Sequence, residues 1–135
     1  MKKPLLIALT VVLHSCSDLT TSTDMVFDAA PGGPATFERV QATVFDVSCA
    51  SSGCHGGSAW PDLSAGEAYG NIVHIESTRG MPLVYPGLPD SSYLYLKLLP
   101  DAPISGGRMP LGGPYLDAAS LEIVRAWIER GAPAD

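Results

Sequence analysis

The segment Cys49-Ala50-Ser51-Ser52-Gly53-Cys54-His55 holds the densest chemistry in the chain. Thiolates and imidazole are the donors that suit transition metals, and a Cys followed directly by His also closes the C-x-x-C-H haem-attachment signal. In that chemistry each thiol adds across a haem vinyl group to form a thioether. The His beside the second Cys becomes the proximal iron ligand. The adjacency has a physical reason: once the sulfur is fixed at the porphyrin edge, the next residue can swing its ring under the iron. Here the spacing is C-x4-C-H, two residues longer than the common form. A continuous α-helix would set Cys49 and Cys54 about 500° apart around its axis, at ~100° per residue. The segment must therefore turn, and Gly53 tolerates backbone conformations closed to other residues.

Four apolar patterns mark the elements that would position this cluster. Phe37, Val40, Val44, Phe45 and Val47 recur at helical spacing and run into Cys49, with Thr36 able to cap the start through its hydroxyl. Ser64-Ala65-Gly66-Glu67 reads as a capping box for a second helix carrying Ala68, Ile72 and Val73. Ser91 to Leu99 reads as a third, with a Ser or Asp90 as its cap and Pro100 as its stop. The last is the clearest: Asp117 caps it, Leu121, Val124, Trp127 and Ile128 form its stripe, and Gly131 ends it. No strand alternation and no internal repeat stands out. The stretches 80–89 and 100–114 are dense in Gly and Pro. Three or four short helices joined by such long loops imply that the loops wrap something.

The chain has 135 residues, which favours one domain, and its 46% hydrophobic and 16% charged content excludes a disordered chain or a coiled coil. A net charge of -6 argues against nucleic-acid binding, which needs Lys and Arg clusters to replace phosphate counterions. The first fifteen residues read as an export address. Lys2 and Lys3 form a positive start, and Leu5 to Leu13 is an apolar run too short to span a bilayer. The run ends in Leu13-His14-Ser15-Cys16, which resembles a bacterial lipobox, although His14 stands where a small or aliphatic residue is usual. The lipobox implies cleavage before Cys16 and acylation of that thiol, which anchors a protein to a membrane surface without crossing it. Ordinary cleavage nearby is the alternative. Loss of Lys2 and Lys3 from eight basic residues, against fourteen acidic ones, takes the charge to -8. Residues 16–36, rich in Ser, Thr, Asp, Ala, Gly and Pro, read as a flexible tether, and the domain is expected to span 37–135. Ser17 after Cys16 resembles the sorting signal for the outer membrane.

From Phe37 onward the chain resembles the small monohaem cytochrome c domains of bacterial exported lipoproteins. Four features carry the resemblance in order: the helix ending in Cys49-x4-Cys54-His55, the segment 84–94, the loop Arg108-Met109-Pro110, and the terminal helix through Trp127 to Ala132. The resemblance implies an all-α, cytochrome c-like fold wrapped around one covalent haem c, with the first and last helices crossing. Phe45 and Trp127 are the candidates for that crossing contact. It implies Cys49 and Cys54 as attachment points, His55 as proximal ligand, and a sixth ligand from a Met in the late Gly/Pro-rich loop, where Met109 lies. His74 and Met81 are the rivals for that position. It further implies an electron carrier rather than an enzyme, anchored on the cell envelope through Cys16 and exchanging electrons with a partner protein.

Other readings of the same residues stay open. Cys49 and Cys54 could form a disulfide in a non-haem binding or interaction module. Cys49, Cys54, His55 and His74 could hold zinc, although adjacent ligands and the long jump to His74 suit that metal poorly. An iron with an open sixth position would favour peroxidase-like chemistry. Arg108 could pair with a haem propionate or be a solvated loop residue. Trp60, Tyr69, Tyr85, Tyr93, Tyr95 and Tyr115 could line a haem or be ordinary core and surface aromatics. No carboxylate pair and no nucleophile motif suggests acid–base or acyl-transfer catalysis.

Overall fold

The computed structural model describes residues 33–135. The expected signal segment 1–15, the acylated Cys16 and the tether as far as residue 32 lie outside the described residues. Ala35 is fully buried in the core and its carbonyl accepts from Arg130 Nη1 at 2.8 Å, so packing already begins within the last residues assigned to the tether.

The described residues form an all-α arrangement, in which the extended pairings are two isolated bridges, Val73 with Val84 and Glu76 with Pro82. Helix α1, Phe37–Val40, starts at Thr36, whose hydroxyl accepts from Arg39 N at 3.2 Å. It then widens into a π-helix over Gln41–Cys49. A π-helix bonds each N–H to the carbonyl five residues back, as Ala50 N does to Phe45 O at 2.7 Å. Residues four and five apart therefore share a face. Val40, Val44 and Phe45 are buried on it, with half-buried Cys49 packed beside them, whereas Val47 turns outward and is 74% exposed. The expected stripe loses Val47 for this reason.

Helix α2 spans Ala68–Ile72. The expected capping box does not form. The Ser64 hydroxyl donates to Asp62 Oδ1, and Glu67 and Ala68 bond instead to the Ser64 backbone carbonyl. Helix α3, Tyr93–Leu98, follows a 3-10 turn at Pro89–Ser91. Neither Ser nor Asp90 caps it through a side chain. Ser92 Oγ is taken up by the preceding turn, donating to Leu88 O and accepting from Tyr85 N, both at 2.9 Å.

Helix α4, Ala118–Glu129, matches its expected ends. Asp117 Oδ1 accepts from Ser120 N at 2.8 Å. Gly131 takes a positive φ of 96°, and the N–H groups of Gly131 and Ala132 close the end on Ile128 O and Trp127 O. Val124, Trp127 and Ile128 are fully buried. Helix α4 packs against α1 and the π-helix, so the first and last elements meet as expected. The ring against Trp127 is nevertheless that of Phe37, at 5.4 Å between centroids. Phe45 lies behind Phe37 at 6.4 Å, so Phe45 joins the crossing through Phe37.

Candidate functional site

Cys49, the last π-helical residue, is followed by a loop that folds back on it. His55 N donates to Cys49 O at 3.1 Å, and Cys54 N to Ser51 O at 3.0 Å. Gly53 makes the reversal at φ 88°. Gly56 is required by space: a Cβ there would overlap the Ala50 carbonyl oxygen and press on Ser51 O. The longer spacing between the cysteines is thus accommodated by a tight turn packed against the end of a widened helix.

His55 is held at three points. Its N–H bonds Cys49 O, its carbonyl accepts from Leu63 N at 2.7 Å, and Nδ1 lies 2.9 Å from Pro61 O. A carbonyl only accepts, so Nδ1 carries the proton and Nε2 keeps the lone pair of the neutral ring. Such a second bond fixes tautomer and ring orientation in metal-binding histidines. The loop is itself anchored by Gln41, whose Nε2 donates to Leu63 O at 2.9 Å from within the π-helix.

These residues open onto a cavity of about 560 Å³, inside the ~300–1,000 Å³ range of cofactor and ligand sites. Cys49, Cys54, His55 and Met109 all line it. The remaining wall is largely apolar, including Phe45, Leu83, Leu94 and Leu98, and Val47, Trp60 and Leu111 form exposed parts of its edge. Met109 reaches the cavity from the opposite part of the sequence. Its N–H donates to Lys97 O at 2.7 Å, and Arg108 Nε donates to Leu98 O at 2.7 Å, so the late loop is pinned to the end of α3. Its rivals lie elsewhere. His74 is exposed at φ 61° and Met81 is half-buried, and neither lines the cavity. Of the six aromatics singled out, Trp60 and Tyr93 line it and Tyr69, Tyr85, Tyr95 and Tyr115 do not.

Both Cys49 and Cys54 are free thiols in this arrangement. Burial, and then the neighbouring Cys54, push the Cys49 thiol up to about 11, whereas Cys54 is exposed. Among the described residues, no group of three or more His, Cys, Asp or Glu side chains is gathered so as to hold a metal ion. The zinc set Cys49, Cys54, His55 and His74 is therefore not assembled. Nor is any helix among the described residues long and apolar enough to cross a membrane. Arg108 does not line the cavity; its Nε bonds Leu98 O and its guanidinium lies 4.2 Å over the Tyr115 ring. Sequence reasoning missed Lys97, which is among the residues lining the cavity from α3. Its signal was faint: a single cation in the last turn of an otherwise apolar run.

A scan against protein-family models, a search of curated proteins and a search of solved structures each returned no match.

Proposed function

We propose that the chain is a monohaem c-type electron carrier of cytochrome c-like architecture, with His55 and Met109 as axial ligands and Cys49 and Cys54 as attachment points. One observation carries the reading: two thiols, a histidine with its Nδ1 proton committed, and a methionine from a distant loop border one largely apolar cavity. These residue types fit haem c. The thiols are free to add to vinyl groups, Nε2 is a borderline ligand for iron, and thioether sulfur is a soft one that raises reduction potential. Bound there, haem c would supply one-electron exchange, with its iron held by His55 and Met109.

The protein's own residues supply orientation and dielectric. Pro61 O holds the His55 ring, Lys97 O holds the Met109 backbone, and the largely apolar walls would lower the dielectric around an occupant. Acidic net charge favours a redox partner with a basic patch or one that docks on local apolar surface. By the same reading the exported chain is acylated at Cys16 and tethered to the cell envelope, most favourably the outer membrane.

Met109→Ala tests the ligand set. The substituted protein is expected to keep its covalent haem, lose the Met–iron absorption band of the oxidised state, fall in reduction potential and bind CO. An unchanged band and potential would remove Met109 from the site. His55→Ala is expected to abolish the low-spin spectrum, and retention of that spectrum would refute the whole arrangement.

A further inference from the structure

Three successive backbone carbonyls, those of Pro61, Asp62 and Leu63, each accept from a different side chain. Pro61 O lies 2.9 Å from His55 Nδ1, Asp62 O accepts from Asn71 Nδ2 at 3.1 Å, and Leu63 O accepts from Gln41 Nε2 at 2.9 Å. Pro61 and Leu63 are buried. The strap 61–63 is thus clamped from two elements, the π-helix through Gln41 and α2 through Asn71. Gln41 is itself aimed by Asp46, whose Oδ1 accepts from the same Nε2 at 2.6 Å. In an α-helix, residues five apart point about 140° away from one another, at ~100° per residue, whereas a π-helix brings them to one face. Both N–H groups of the Gln41 amide are therefore committed. Its Oε1 is buried without a partner among the described residues, and the residue is only 8% exposed. A buried acceptor left unpaired costs stability, and an apolar side chain of similar volume would avoid that cost. Packing does not account for an amide here, but its two donors do.

We propose that Gln41 and Asn71 are positioning residues for His55: they hold the strap 61–63 so that the Pro61 carbonyl stays on the ring N–H. This assignment rests on the reading of His55 as an iron ligand and goes beyond it, because it names the groups outside the Cys–His loop that set how strongly the ring donates to a metal. A firm Nδ1–H bond to a carbonyl makes imidazole a more basic ligand and favours the oxidised metal. Loosening the strap weakens that bond and raises the reduction potential.

The test follows the His55 Nδ1–H of the reduced, mature holoprotein by its rate of hydrogen exchange with solvent. Gln41→Met keeps the volume and removes both donors. Asn71→Ala removes the second clamp at a half-buried position. Each is expected to speed exchange at His55 Nδ1 by about fivefold or more and to raise the reduction potential, with the low-spin spectrum retained. Asp46→Ala, at an exposed position, leaves the core side chains in place and should give a smaller change in the same direction. The Trp127 Nε1–H, bonded to Pro133 O, reports global opening and should keep its wild-type rate in all three. Equal acceleration at His55 and Trp127 would show a general loss of stability and overturn the positioning role. Unchanged exchange and potential in both the Gln41 and Asn71 variants would overturn it too, and either result leaves the haem reading standing. A mature protein without haem overturns the iron-ligand reading, and this assignment with it.

Discussion

At the residue scale the two thiols are not equivalent. Cys49 is half-buried at the end of the π-helix and its thiol is pushed up to about 11, whereas Cys54 is exposed. The thiolate is the reactive form. In chain produced without haem, a thiol-alkylating reagent at about pH 8 is expected to label Cys54 first and Cys49 more slowly, by about tenfold or more. Labelling of Cys49 should climb between pH 9.0 and about 11. The raised value means that folding favours the protonated thiol. Its stabilising contribution is present below the ordinary thiol range and is lost as pH rises toward 11. Peptide mass analysis after timed alkylation checks this, and equal labelling of both thiols at about pH 8 would contradict it. The Cys–His cluster was singled out in the sequence by residue type and local spacing, and Met109 by the family resemblance; that they border one cavity is seen only in the fold. Lys97 was not singled out, because only the folded chain places it among the residues lining the same cavity.

At the element scale, the ends that were legible are those set by one side chain acting on its own helix. The hydroxyl of Thr36, the Asp117 carboxylate and the positive φ at Gly131 all behave as the sequence indicates. The Ser64 box failed because a nearer acceptor, Asp62, competes for its hydroxyl. The π-helix was also missed. Apolar residues at Val40, Val44 and Phe45 fit α and π spacing alike, and only Val47, left in solvent, distinguishes them. This widened helix delivers Cys49 to a loop in which Gly56 sits against the Ala50 carbonyl. Gly56→Ala is therefore expected to displace the loop and lower the yield of haem-bearing protein several-fold, read as the ratio of haem to polypeptide absorbance. Gly70→Ala, with open space around its Cβ, is the control expected to leave that ratio unchanged. Equal ratios for Gly56→Ala and wild type would show that the loop tolerates a side chain there.

On the scale of the whole molecule, the first and last elements close the fold on each other. Phe37 packs on Trp127, Glu38 N donates to Asp135 O at 3.0 Å, and Arg130 reaches both Ala35 O and Asp135. Trp127 is fully buried and its Nε1 donates to Pro133 O at 2.9 Å. Trp127→Ala is expected to cost ~3–5 kcal/mol in denaturant unfolding, the range for truncating a large buried aromatic. A loss below about 1 kcal/mol would place the main stabilising contacts elsewhere. The all-α class and the meeting of the terminal elements were legible because helix periodicity survives in the strongest stripe. The identity of the crossing pair was not, since a helix that changes pitch rotates Phe45 relative to Phe37.

The central claim is that this cavity holds a covalent haem. Intact mass and visible spectrum of the mature protein, made in a host with cytochrome c maturation machinery, test it most directly. The account predicts one haem added to the polypeptide and a low-spin spectrum. A colourless protein lighter than the reduced chain by two hydrogens would contradict it, and would point to a Cys49–Cys54 disulfide in a non-haem binding domain.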